Sequence, residues 1–222
     1  MVVRQTRIVA TLMLATILAI ALGSVLWLGT GYPFLTKRNA DGDILSVTTA
    51  GHAALMCGGN ALLWHRLCEW ALGVRRWRRN IIRAGGAFAT SWIGSLMLVL
   101  AMQVMALADV IGRPFDHHRA FAIVIAVLLL FKANLLPKSR PGWFNGVTFP
   151  LFVRDPDIWR RVHRASAIRI AVVAVATLLM ALASGPDPLP IVMRLLMAEL
   201  CGATLHGLWL GRRPGQKRVA SS

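Results

Sequence analysis

The chain reads as an all-α, polytopic transmembrane bundle of six helices with both termini cytoplasmic. Three observations predict this: an apolar composition, apolar blocks long enough to span a bilayer, and basic clusters confined to the joints between blocks. Of the 222 residues, 56% are hydrophobic and only 15% charged, and the mean hydropathy is +0.60. That is more apolar surface than one soluble core of this size buries. The net charge of +16, from 25 Lys and Arg against nine Asp and Glu, would by itself point to nucleic acid. These charges, however, flank apolar blocks instead of covering one face, as orienting charges at a bilayer do. Nucleic acid is therefore not an expected partner.

Crossing about 30 Å of hydrocarbon takes about 20 largely apolar helical residues, because the helix must satisfy its own backbone where there is no water. Ile8–Thr30 is uncharged, Ala87–Val110 is broken only by Gln103 and Asp109, and Leu189–Leu210 only by Arg194, Glu199 and His206. Ala120–Leu136 and Ala165–Ser184 are shorter and denser, with Lys132 and Arg169 placed to snorkel toward the helix ends. Thr48–Trp70 carries His52, Asn60, His65, Arg66 and Glu69, so hydropathy alone does not select it. Charge parity does. The clusters Arg4/Arg7, Arg75/Arg76/Arg78/Arg79/Arg83, the eight basic residues of 132–169 and Arg212/Arg213/Lys217/Arg218 share one side only if two crossings separate the first two. With that second helix, and counting Arg66 at its inner end, 20 of the 25 basic residues are cytoplasmic.

The outer loops are then 31–47, 111–118 and 185–188. They hold Asp41, Asp43, Asp116 and Asp187, with Asp109 at a helix boundary. Trp27, Trp64, Trp70, Trp92 and Trp209 fall near helix ends, where amphipathic rings suit the interface. Residues 1–118 form an N-terminal three-helix region, 119–184 a helix–loop–helix region and 185–222 the last helix with a basic tail. A cleaved signal peptide ending near Ala21-Leu22-Gly23 competes for the first segment, but the apolar run continues through Leu28 and favours an uncleaved helix. Cys57, Cys68 and Cys201 have no Cys-x-x-Cys spacing and read as packing residues.

The longest joint carries an unusual order of residues. Asn134, Pro137, Lys138, Arg140, Pro141, Trp143, Phe144, Gly146 and Pro150 are followed by Trp159, Arg160, Arg161, His163 and Arg164. The prolines and Gly146 shape turns. Trp143, Phe144, Phe149 and Phe152 offer interfacial anchors, and Lys138, Arg140, Arg154, Arg160 and Arg161 face anionic headgroups or a cytoplasmic partner.

This stretch resembles the SdpI family of bacterial membrane proteins, whose hallmark is an Asn-x-x-Pro-Lys segment, an Asn-x-Phe-x-Gly-Ile-Arg-Thr-Pro run and a Trp-Arg-x-x-His-Arg sequence between two transmembrane helices. The match covers Asn134 to Arg164, and about 120–184 with the flanking helices. Where the family has Gly-Ile-Arg-Thr-Pro-Trp this chain has Gly146-Val147-Thr148-Phe149-Pro150-Leu151, so whatever that arginine binds is bound differently here or not at all. Gly31–Asp43 faintly resembles a segment that often precedes this domain. The resemblance implies a non-catalytic protein of the bacterial inner membrane that confers immunity to a secreted antimicrobial peptide, or signals its presence. The implied partners are a peptide toxin and a cytoplasmic repressor.

Within the apolar blocks Glu199 stands out, because a mid-helix charge is costly and usually faces the bundle interior with a partner. It is expected either to be neutral and hydrogen-bonded or to pair across helices, with Gln103 and Asn60 as candidates. Together with Arg194 and Gln103 it also defines the alternative function, a small carrier or channel with a polar path. The paired positions of His52, His65, His206 and His117/His118 invite a haem reading. Isolated membrane histidines are more often simply hydrogen-bonded, so no cofactor or metal is expected. No nucleophile–base pair or phosphate loop points to an enzyme.

Overall fold

The computed structural model describes residues 2–38, 44–84, 86–111, 116–139, 141, 155–183 and 187–212. Helices carry the fold: α1 Val2–Leu28, α2 Ala50–Gly73, α3 Arg75–Ala84, α4 Gly86–Val110, α5 His117–Leu135, α6 Pro156–Leu182 and α7 Pro188–Arg212. A 3-10 turn, Leu136–Lys138, closes α5. Among the described residues, five helices are long and apolar enough to cross a bilayer: α1, α4, α5 with its turn, α6 and α7. Large apolar side chains point outward along them, with Leu12, Leu26, Val172 and Leu205 each more than 60% exposed. Patches of this kind are untenable in water and ordinary in lipid. The chain is a multi-pass membrane protein.

The remaining long helix, α2, is the one hydropathy does not select. Its 24 residues give about 36 Å at 1.5 Å per residue, and it packs against α1 and α4. Its buried face is made of small residues, Ala50, Ala53, Gly58 and Ala61, then His65, Cys68, Ala71 and Leu72. A Cβ on Gly58 would sit 3.3 Å from Leu18 Cδ2, so glycine lets α1 and α2 approach closely. The opposite face exposes Leu55, Met56, Leu63, Leu67 and Trp70. At one end Arg7 holds Glu69 through two 2.7 Å contacts. At the other, Thr49 caps the helix by accepting from the His52 N–H.

Among the differences from the sequence reading, three concern the first half of the chain. The outer segment expected as a loop over 31–47 contains an antiparallel pair, β1 Pro33–Arg38 and β2 Ile44–Thr49. β-branched Thr36, Val47, Thr48 and Thr49 favour extended backbone there, and the Ala50 and Gly51 N–H groups bond back to Tyr32 and Thr30. The Arg-rich joint is the amphipathic helix α3, whose buried Ile81 enters the core of α1, α2 and α4 with Trp77 beside it. Its arginines 75, 76, 78 and 79 stay exposed. Trp92, expected at the interface, is 1% exposed and packs on Phe88 and His65.

The helices form two groups. α1, α2 and α4 share one core with α3, α5, α6 and α7 pack on one another, and α4 against α5 joins the groups. One end of the bundle carries the hairpin, Asp109, Asp116 and Asp187. The other carries the start of α1, α3, the 3-10 turn and the start of α6, with most of the described arginines.

Candidate functional site

Several of the residues singled out between α5 and α6 converge at the basic end. Asp155 accepts from the Asp157 and Ile158 N–H groups at 2.9 and 3.2 Å, and Pro156 takes the first helical position. The Asp-Pro step thus starts α6 nine residues before the expected Ala165, and Trp159–Arg164, read as loop, is helical. On that first stretch Trp159 and His163 lie one turn apart, both 1% exposed. Their rings stack at 3.8 Å. His163 Nδ1 is 2.9 Å from the Trp159 carbonyl, which can only accept, so the proton sits on Nδ1.

Trp159 also closes the site. Its indole N–H donates to the Ser139 carbonyl at 3.1 Å across 20 residues of sequence. Ser139 is fixed in turn, with its hydroxyl donating to the Leu136 carbonyl at 2.7 Å. The preceding residue, Lys138, donates back one turn to Asn134 Oδ1 at 3.1 Å. Behind the indole, Val162 of α6 and Ala203 and Leu210 of α7 complete a small core. The result is a cleft of about 520 Å³ with Trp159 in its wall and Pro137, Pro141 and Pro156 around it, edged by Lys138, Arg160 and Arg164. Arg160 reaches Asp157 only at 3.8 Å, so the edge is strongly positive. Its chemistry suits an anionic group beside an apolar body, such as a lipid phosphate or an acidic segment of a protein.

Of the motif residues, Asn134, Pro137, Lys138, Pro141, Trp159, His163 and Arg164 gather here, while Arg161 is exposed and does not line the cleft. Arg140, Phe144, Gly146 and Pro150 lie outside the described residues, as do the anchors Trp143, Phe149 and Phe152, Arg154, and the tail residues Arg213, Lys217 and Arg218. Sequence reading passed over Ser139. Nothing in its identity marks it, since it acts through its backbone carbonyl.

The intramembrane polar residues are not gathered into one path. Glu199 on α7 is 8% exposed and accepts from Arg169 of α6, Nε to Oε2 at 2.5 Å and Nη2 to Oε1 at 3.3 Å. The same Nη2 reaches Ser166 Oγ at 3.2 Å. The partner is therefore Arg169, read from sequence as a snorkelling residue, and neither Gln103 nor Asn60. Arg194 is exposed on α7. Gln103, on α4, is 5% exposed and donates to the Ile17 carbonyl of α1 at 3.3 Å. The three share no hydrogen bond or cavity among the described residues. Nor do three His, Cys, Asp or Glu side chains converge on a metal position among those residues.

No family model, curated protein or solved structure matches the chain.

Proposed function

We propose that the chain is an SdpI-like, non-catalytic protein of a bacterial inner membrane, crossing it six times with both termini inside, which confers immunity to a secreted antimicrobial peptide or relays its presence. The observation that carries this reading is the Trp159–Ser139 hydrogen bond. It closes the two described parts of the motif, Asn134–Lys138 and Trp159–Arg164, into one basic, aromatic-walled cleft. Described parts of the motif that lie far apart in sequence meet around one cleft, and Lys138, Arg160 and Arg164 give its edge positive charge. That composition supports binding of an anionic partner. α2 supports the sixth crossing by its length and its apolar outward face, and with it the basic end of the bundle becomes the cytoplasmic face.

The test is survival. Cells lacking the protein should be sensitised to peptide-containing culture fluid of their own species. The wild-type gene should restore growth, and a Lys138→Ala/Arg164→Ala variant that reaches the membrane in normal amount should not. Equal survival of deleted and intact cells would remove the immunity reading.

A further inference from the structure

The polar residues that lower the hydropathy of α2 do not all face the bundle. His65 is buried against Trp92 and Glu69 is held by Arg7, but Asn60 is exposed. It lies ten residues after Ala50, the first of α2, and thirteen before Gly73, the last, at mid-depth of the proposed crossing. No hydrogen bond engages its side chain among the described residues. An amide at that depth meets acyl chains, which neither donate nor accept, and leaving it so is costly. The residues that share its face are regularly placed. Met56, Asn60, Leu63, Leu67 and Trp70 follow one another at intervals of four, three, four and three, and the apolar four are each at least 45% exposed. That 3.5-residue period is the seam of two helices packed side by side, and a single Asn within such a seam fixes register and the number of helices that join.

We infer that this outward face of α2 is an interface with a second copy of the chain, the two α2 helices lying parallel with their Asn60 amides hydrogen-bonded to each other. The chemistry selects the occupant. An amide both donates and accepts, so a second amide satisfies it. Two copies inserted the same way in one membrane are related by an axis along the bilayer normal, which brings each Asn60 to the depth of its mate. Leu63 and Leu67 then meet their counterparts on the inner side of the amide pair, and Met56 on the outer side. Arg66, exposed beside the seam near the inner end of α2, can extend to the headgroups. The inference rests on α2 crossing the membrane and stands apart from the cleft at the basic end.

Single-molecule photobleaching of the full chain, labelled at its C-terminus and reconstituted in vesicles over a range of protein-to-lipid ratios, tests it. Two-step traces should rise with protein density to a dimer plateau. Asn60→Leu should need about fivefold more protein for half-dimerisation, the worth of the interhelical hydrogen bonds, while Asn60→Gln, which keeps the amide, should stay within about twofold of wild type. Thr204→Leu, a loss of polarity on α7, should change nothing. The face is read by oxidation in a chain with Cys57, Cys68 and Cys201 replaced by alanine: Leu63→Cys should crosslink two copies, and Leu205→Cys, equally exposed but on α7, should not. A dimer that Asn60→Leu leaves as strong, or one that crosslinks at Leu205→Cys and not at Leu63→Cys, would overturn the proposal. So would a monomer at every density. If a reporter fused after Arg79 then registers cytoplasm, the pairing alone has failed, and an outward signal there would remove the crossing as well.

Discussion

At the scale of single residues the Arg169–Glu199 pair is the most consequential interaction within the membrane. Glu199 has almost no exposure, while the Arg169 side chain is 39% exposed, so the carboxylate bears most of the cost of desolvation and the guanidinium offsets it by a fork of two contacts. Removing one charge strands the other. Glu199→Gln should therefore destabilise the protein by about 1–3 kcal/mol, a figure reduced from that of a fully buried pair because Arg169 is partly exposed. The double variant Arg169→Gln/Glu199→Gln should recover much of that loss, as thermal unfolding in detergent would register. Additive losses would mean that the two side chains act independently. The partner was legible in principle. Arg169 lies 13 residues before the end of α6 and Glu199 11 after the start of α7, so an antiparallel pair of helices places them at matching depth. Reading Arg169 alone, as a residue near a helix end, hid this.

At the scale of elements, the sequence carried the apolar helices plainly because periodic hydropathy and span length report directly on burial in lipid. It carried the joints poorly. α3 was hidden by its arginines, though Trp77 and Ile81 at a four-residue spacing mark its buried face. The early start of α6 was hidden because hydropathy begins at Ala165, whereas the helix begins at the Asp155–Pro156 cap. The cleft's wall was legible as a motif, but its closure was not, because it depends on a backbone carbonyl at Ser139. α2 shows what packing adds. Its helix–helix contact rests on Gly58, and adjacent Gly59 faces open space, with nothing within 4 Å of a Cβ there. Gly58→Ile should lower stability by about 1–3 kcal/mol by forcing α1 and α2 apart, while Gly59→Ile should leave it unchanged. Equal melting temperatures for the two variants in a thermal-shift measurement would count against this contact as the basis of the α1–α2 packing.

At the scale of the whole molecule, the question is which way the bundle sits, and it reduces to whether α2 crosses. The Arg4/Arg7 cluster opens α1 and the α3 arginines follow α2. If α2 lay along the surface, one crossing would separate these clusters, and one of them would face outside against the positive-inside tendency. The Arg7–Glu69 contact argues the other way, since it ties the start of α1 to the end of α2 at the same end of the bundle. Being partly exposed to solvent, that pair contributes little stability, yet its geometry is informative, because two helices of 27 and 24 residues that meet at both ends must run side by side. From this pairing follows the proposed six-crossing arrangement, with α1 and α2 crossing together. A reporter fused after Arg79 should accordingly register cytoplasm, as should one after Arg212, while a reporter inserted between β1 and β2 should register the outer side. An outward signal after Arg79 would break the six-crossing reading, and with it the assignment of the basic cleft to the cytoplasmic face.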